Sequence, residues 1–177
     1  MAYSSTKKKS SGIVQISICI LTVILVVLII AMMMIVSSIQ GTARIVNYAG
    51  LVRGKTQRIV KLEISGKQED DMIQEIESFI DGLMNGNKEL NLVRLEDSDF
   101  QTKMEELNEY FLMLEQEIMQ VRAYGADKTQ ILSKSEHFFE ICDEATGLAE
   151  VYSQRKASLL SVFEKYITAD IVVLMLL

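Results

Sequence analysis

Between Ile13 and Val36 the chain reads IVQISICILTVILVVLIIAMMMIV, 24 residues without a charged side chain. As an α-helix at about 1.5 Å per residue this run extends roughly 36 Å, enough for a hydrocarbon core of about 30 Å. Gln15, Ser17, Cys19 and Thr22 are tolerable within such a span. Lys7-Lys8-Lys9 precede it in the manner of a secretory signal, but the apolar region of a signal covers only about 7–15 residues. The segment therefore reads as a membrane anchor. Arg44, Arg53 and Lys55 on its far side match the three leading lysines in number, and the 130 residues of 37–166 are long enough to translocate whatever their charge. Because the lysine run lies closer to the apolar span, residues 1–12 are assigned to the cytoplasm.

The last stretch, Ile167 to Leu177, reads ITADIVVLMLL. Its eleven residues extend roughly 16 Å as a helix, about half of a bilayer core. It is expected to begin a second transmembrane helix, with the chain the front fragment of a longer protein.

Between these segments the composition excludes several classes. The sequence has no Pro, no Trp and 7% aromatics, which leaves an all-β fold without its turn and strand residues. Two Cys and one His furnish no zinc site, no disulfide framework and no Cys–His dyad. A net charge of −6 argues against nucleic acid as a partner. The scattered glycines form no phosphate-binding loop. Glu105-Glu106 and Asp143-Glu144 are adjacent pairs, so each pair points to different helix sides and supplies no acid/base couple. His137, beside Glu136 and Phe138, reads as a packed or half-exposed residue rather than a ligand. No catalytic residue, metal site or cofactor is expected.

Residues 37–166 carry 15 Lys/Arg and 23 Asp/Glu, with the bases early: Arg44 to Lys67 holds six bases and one acid, Glu63. Periodicity predicts four helices. Phe100, Met104, Leu107, Phe111, Leu114, Ile118 and Val121 are spaced 4-3-4-3-4-3, a seam made for bundle packing. A second helix covers Glu69 to Leu83, with Met72, Ile76, Phe79 and Leu83 on one stripe and Asn85-Gly86-Asn87 as its turn. The fourth starts after Tyr124-Gly125-Ala126-Asp127 and runs through Phe138, Ala145, Tyr152, Leu159 and Phe163 into the final apolar segment. The first leaves the membrane span and continues to about Ile64, before Ser65-Gly66-Lys67. The expected fold is all-α, a membrane-anchored antiparallel four-helix bundle whose first and fourth helices are continuous with transmembrane helices.

Helix one has two unlike faces. Ile45, Tyr48, Val52, Ile59 and Leu62 form an apolar stripe. Opposite them Ala43, Asn47, Gly50, Gly54, Gln57 and Lys61 repeat at 4-3-4-3-4, and no hydrophobic core can be built on that seam. Two glycines inside a helix cost about 1 kcal/mol each relative to Ala. Small residues one turn apart let two backbones approach closely. Arg53 and Arg58 flank the seam. The alternatives are a solvated basic face, or a homodimer contact through Gly50, Gly54 and Gln57 at which arginines converge on an anion. A guanidinium suits the second because its fixed fork meets two oxygens at once.

The segment Asn47-Tyr48-Ala49-Gly50-Leu51-Val52-Arg53-Gly54-Lys55-Thr56-Gln57-Arg58 resembles the Asn-x-Ala-Gly-x-x-Arg-x-x-(Ser/Thr)-Gln-Arg signature of one sensor family. That family includes the nitrate/nitrite sensor histidine kinases and the type IV pilus chemoreceptor. The resemblance implies a dimeric extracytoplasmic four-helix bundle between two membrane spans, with the signature Arg, here Arg53, holding an anion at the dimer interface near Asn47 and Gly50. Ser135-Glu136-His137-Phe138-Phe139 and Ala149-Glu150-Val151-Tyr152-Ser153 are similar to the later helix of a clostridial-type variant that precedes diguanylate cyclase or histidine kinase modules. At Gly54-Lys55 the chain departs from the nitrate sensors, where a larger apolar residue is usual, so the ligand is read as a small anion without assigning nitrate itself.

Together these features predict the input module of a bacterial transmembrane signalling protein in the plasma membrane. Its parts are a tail over 1–12, a span over 13–36, an extracytoplasmic sensor over 37–166 and the start of a second span over 167–177. The expected ligand-binding residues are Arg53, Asn47, Gly50 and Arg58, and the partners are a small anion, the bilayer and a second copy of the chain. The output module, lying beyond Leu177, is expected to be a diguanylate cyclase, a histidine kinase or a chemoreceptor signalling domain. The rival class is a membrane-anchored structural coiled coil without a ligand.

Overall fold

The computed structural model describes residues 3–125 and 128–177, with side chains from Gly12 onward. Four helices account for nearly all of it: α1 (Tyr3–Ile64), α2 (Asp70–Asn85), α3 (Ser98–Tyr124) and α4 (Lys128–Leu176). The described residues contain no β-strand, only an isolated bridge between Asn87 and Leu92. Of the turn expected before the fourth helix, Ala126 and Asp127 lie outside the described residues.

The chain divides into two compact units, Gln40–Gln154 and the pair Met1–Ile39 with Arg155–Leu177; α1 and α4 contribute to both. In the larger unit every helix supplies residues to one core. All seven residues of the α3 seam, from Phe100 to Val121, are buried. The inward line of α1 is Thr42, Ile45, Ala49, Val52, Thr56, Ile59 and Glu63, all buried and spaced 3-4-3-4-3-4. It differs from the apolar stripe read in the sequence, because Tyr48 and Leu62 stand half-buried at its flank while two threonines, an alanine and a glutamate fill the inward rungs. The α4 line is similar: Ile131, Ser135, Phe138, Cys142, Ala145 and Ala149 are buried. Tyr48 meets Phe79 of α2 edge-on at 5.0 Å, and Phe111 of α3 meets Phe138 of α4 at 5.7 Å.

Local signals set the helix ends. Asp97 caps α3 by accepting a hydrogen bond from the Phe100 amide at 3.1 Å. Gly125 ends the same helix in the left-handed conformation, φ 64°, where a side chain would be strained. Between α2 and α3, the Asn87 side chain accepts bonds from the amides of Glu89 and Leu90. This connection rests on α1 through Val93 against Gly41 and through Arg44 on the Leu90 carbonyl.

At the other end of this unit Arg122 of α3 binds Glu63 of α1 and Asp70 of α2, and Lys128 of α4 donates to the Ile64 carbonyl at 2.6 Å. The Glu63 carboxylate is almost fully buried, 3% exposed, and the Arg122 side chain only 13% exposed. Those hydrogen bonds, Glu63's first, hold the guanidinium above its ordinary pKa against the opposing effect of burial.

The smaller unit pairs the start of α1 with the end of α4. Its apolar run belongs to the one helical stretch among the described residues that is long and apolar enough to cross a membrane, within Gly12–Ile64; none of its most apolar window is buried. Ile24 and Leu28 line a groove of about 320 Å³ with Tyr166, Ala169, Asp170 and Val173. Asp170 is 8% exposed there, and its Oδ2 has no hydrogen-bond partner among the described residues.

Candidate functional site

The seam over Ala43–Lys61 lies outside the bundle core. Ala43, Asn47, Gly54 and Lys61 are exposed, and Gly50 and Gln57 are half-buried. Beyond the backbone of its own helix, a methyl group placed on Gly50 or Gly54 would meet no atom of the described residues within 4 Å, so packing among these residues requires neither glycine. Gly147 on α4 is equally open. At the lower end of the seam, Ala43 and Val46 line a groove of about 310 Å³ with Glu150, Ser153 and Gln154 of α4.

Helical spacing turns Arg53, the residue after inward-facing Val52, toward α4. Its Nη1 donates to Asp143 Oδ1 at 2.5 Å, and its Cζ lies 4.9 Å from the centre of the Phe139 ring. Phe139 and Asp143 are four residues apart, so one turn of α4 presents an aromatic face and a carboxylate to the same guanidinium. The contact is open to water: the Arg53 side chain is 34% exposed and that of Asp143 63%. Gln57, one turn further along α1, donates from Nε2 to the Ser135 carbonyl at 3.0 Å. Lys55 goes the other way, to Glu75 of α2 at 2.6 Å.

The structure thus places Arg53 and Gln57 along one α1–α4 edge beside the glycines. Asn47 and Arg58 are exposed, and the partners of Arg53 among the described residues are Asp143 and Phe139 instead. The residues that sequence reading missed are Asp143 and Phe139. The adjacent acids Asp143 and Glu144 do point apart, each to its own cation: Asp143 to Arg53 on α1, Glu144 to Lys103 on α3 at 2.6 Å. Hydrogen bonds to Glu106 first and then to Glu144 raise the Lys103 pKa against the effect of burial, and Lys103 in turn lowers that of Glu144. Next to Asp143, the Cys142 thiol is buried, which pushes its pKa up to about 12 although Arg53 pulls it the other way. His137 sits edge-on to Tyr110 at 4.9 Å with Nδ1 3.1 Å from Glu140. Among the described residues no three His, Cys, Asp or Glu side chains gather into a metal-holding group.

No family model and no curated protein matches the chain. One solved structure does: the ligand-binding domain of the P. aeruginosa nitrate receptor McpN, at a TM-score of 0.57 and 18% identity. The two share a fold. The alignment covers 62% of this chain and 96% of that domain, so the likeness spans a whole ligand-binding domain and leaves part of this chain outside it. At 18% identity it speaks for architecture, and residue roles must come from the site itself.

Proposed function

We propose that this chain is the ligand-sensing input module of a transmembrane signal-transduction protein, an antiparallel four-helix bundle anchored in the plasma membrane with its sensor over 37–166 outside. Two copies meet along the Gly50–Gly54–Gln57 face of α1, and Arg53, with Asn47, Gly50 and Arg58, receives a small anion there. The observation that carries this reading is the open glycine-and-amide face with a guanidinium at its edge, on a fold shared with a nitrate receptor's ligand-binding domain. A glycine pair that costs helix stability and fills no need within the chain is accounted for by close approach of a second backbone. Because α1 and α4 both extend beyond the bundle, a slide of α4 against α1 of an ångström or two is a sufficient signal for an output module.

The rival reading, a structural coiled-coil spacer, draws on the same arginine: Asp143 already neutralises Arg53 within the chain. Thermal unfolding of the full chain in detergent micelles separates the two. Sodium nitrate, nitrite and formate are titrated against chloride at constant ionic strength. A midpoint raised by one of these anions in the native chain and not in Arg53→Ala supports the sensor; identical curves in every salt support the spacer. Sedimentation of the same samples reads the dimer.

A further inference from the structure

We infer that Asp143 is the internal occupant of the Arg53 anion site, a carboxylate that an incoming anion must displace and whose release removes one of the ties between α4 and α1. The inference rests on the reading of Arg53 as the anion-binding residue and supplies the competitor that tunes it. Three features support it. The Asp143 carboxylate is the same chemical class as the proposed ligand and lies on the guanidinium at hydrogen-bond distance. It engages one nitrogen, Nη1, through one oxygen, so a free oxyanion that meets two N–H groups at once has the better geometry. And the pair is exposed, with 34% of the Arg53 side chain and 63% of the Asp143 side chain open to solvent, where ion pairs are weak and exchange readily.

Phe139 makes the exchange workable. Its ring lies 4.9 Å from the guanidinium carbon and depends on no carboxylate, so Arg53 keeps its place when Asp143 leaves. Gln57, held by the Ser135 carbonyl one turn away, fixes the neighbouring stretch of α4 so that release is local to the Phe139–Asp143 turn. An internal competitor lowers apparent affinity by the fraction of time it fills the site.

The test uses the full chain in detergent micelles with sodium nitrate, nitrite and formate as probes at constant ionic strength, reading the anion concentration at half-maximal thermal shift. Asp143→Asn keeps size and polarity but removes the competing charge. It is expected to lower that concentration by about two- to five-fold, the range an exposed ion pair is worth, with the response lost again in the Arg53→Ala/Asp143→Asn double variant. An unchanged midpoint in Asp143→Asn, with a native response that still needs Arg53, overturns the internal competitor and leaves the anion site standing. A response that survives Arg53→Ala, or none in any variant, overturns both.

Discussion

The Arg122 guanidinium of α3 closes on the Glu63 carboxylate of α1 through two hydrogen bonds, Nε to Oε2 at 3.0 Å and Nη2 to Oε1 at 2.5 Å. A third, from Nη1 to Asp70 of α2 at 2.6 Å, brings three helices to one side chain. Truncation to Arg122→Ala leaves the Glu63 charge buried without its partner, and loss of one member of a buried pair costs about 3 kcal/mol or more. The expected result is a chemical-denaturation midpoint well below that of the native chain. Replacing both residues with Leu and Met, which removes the charge together with its partner, should cost much less.

Thr56 lies fully buried on the inward line of α1, and its hydroxyl oxygen has no hydrogen-bond partner among the described residues. Its shape is used and its polarity is not. Thr56→Val keeps the branched outline and removes the stranded hydroxyl, so stability should hold or rise by up to about 1 kcal/mol. A clear loss in urea denaturation would mean that the hydroxyl has a partner, a bridging water among the candidates.

At Gly50 and Gly54 an added methyl meets open space. At dilutions where the chain is monomeric, Gly50→Ala and Gly54→Ala should each stabilise the helix by about 1 kcal/mol. Gly50→Leu with Gly54→Leu should weaken self-association by sedimentation, because larger side chains hold two backbones apart. An equally tight dimer in that variant would move the contact to another face.

Burial holds the Cys142 thiol protonated up to about pH 12, whereas its ordinary pKa is 9.0. Below pH 9 both folded and unfolded chains carry the proton and the residue contributes no pH dependence. From there to about 12 only the unfolded chain gives it up, so stability falls as pH rises through that window, by about 1.4 kcal/mol per unit. Cys142→Ala should lack this component, seen as a shallower loss of denaturation midpoint between pH 9 and 11. The same burial predicts slow reaction with thiol reagents at pH 8 until the chain is unfolded.

The α3 seam was legible in full because seven large apolar residues recur there without interruption, and all seven are buried. Helix ends at Ile64 and Gly125 were legible from turn chemistry. The inward lines of α1 and α4 were read only in part, since Thr42, Ala49, Thr56, Glu63, Ser135, Cys142 and Ala149 point inward without apolar bulk to announce it. Apolarity reports burial only where a core is filled with large hydrophobic side chains, and here small and hydroxyl-bearing residues serve. Arg53 stood out by its motif, but its partners could not be found locally: Asp143 lies 90 residues away along the chain. Only the packing of α4 against α1 brings them together.

The 3-4 cadence from Thr42 to Glu63 makes α1 far more tolerant of exchange than of insertion. Most rungs can take a conservative exchange at a modest penalty, but one extra residue rotates everything after it by about 100°. Placed near Val52, such an insertion would swing Arg53 off the α4 edge and turn Thr56, Ile59 and Glu63 away from the positions they fill. Length variation among natural relatives of this bundle should therefore collect in the connections at 65–69 and 86–97 and spare the interval 42–63.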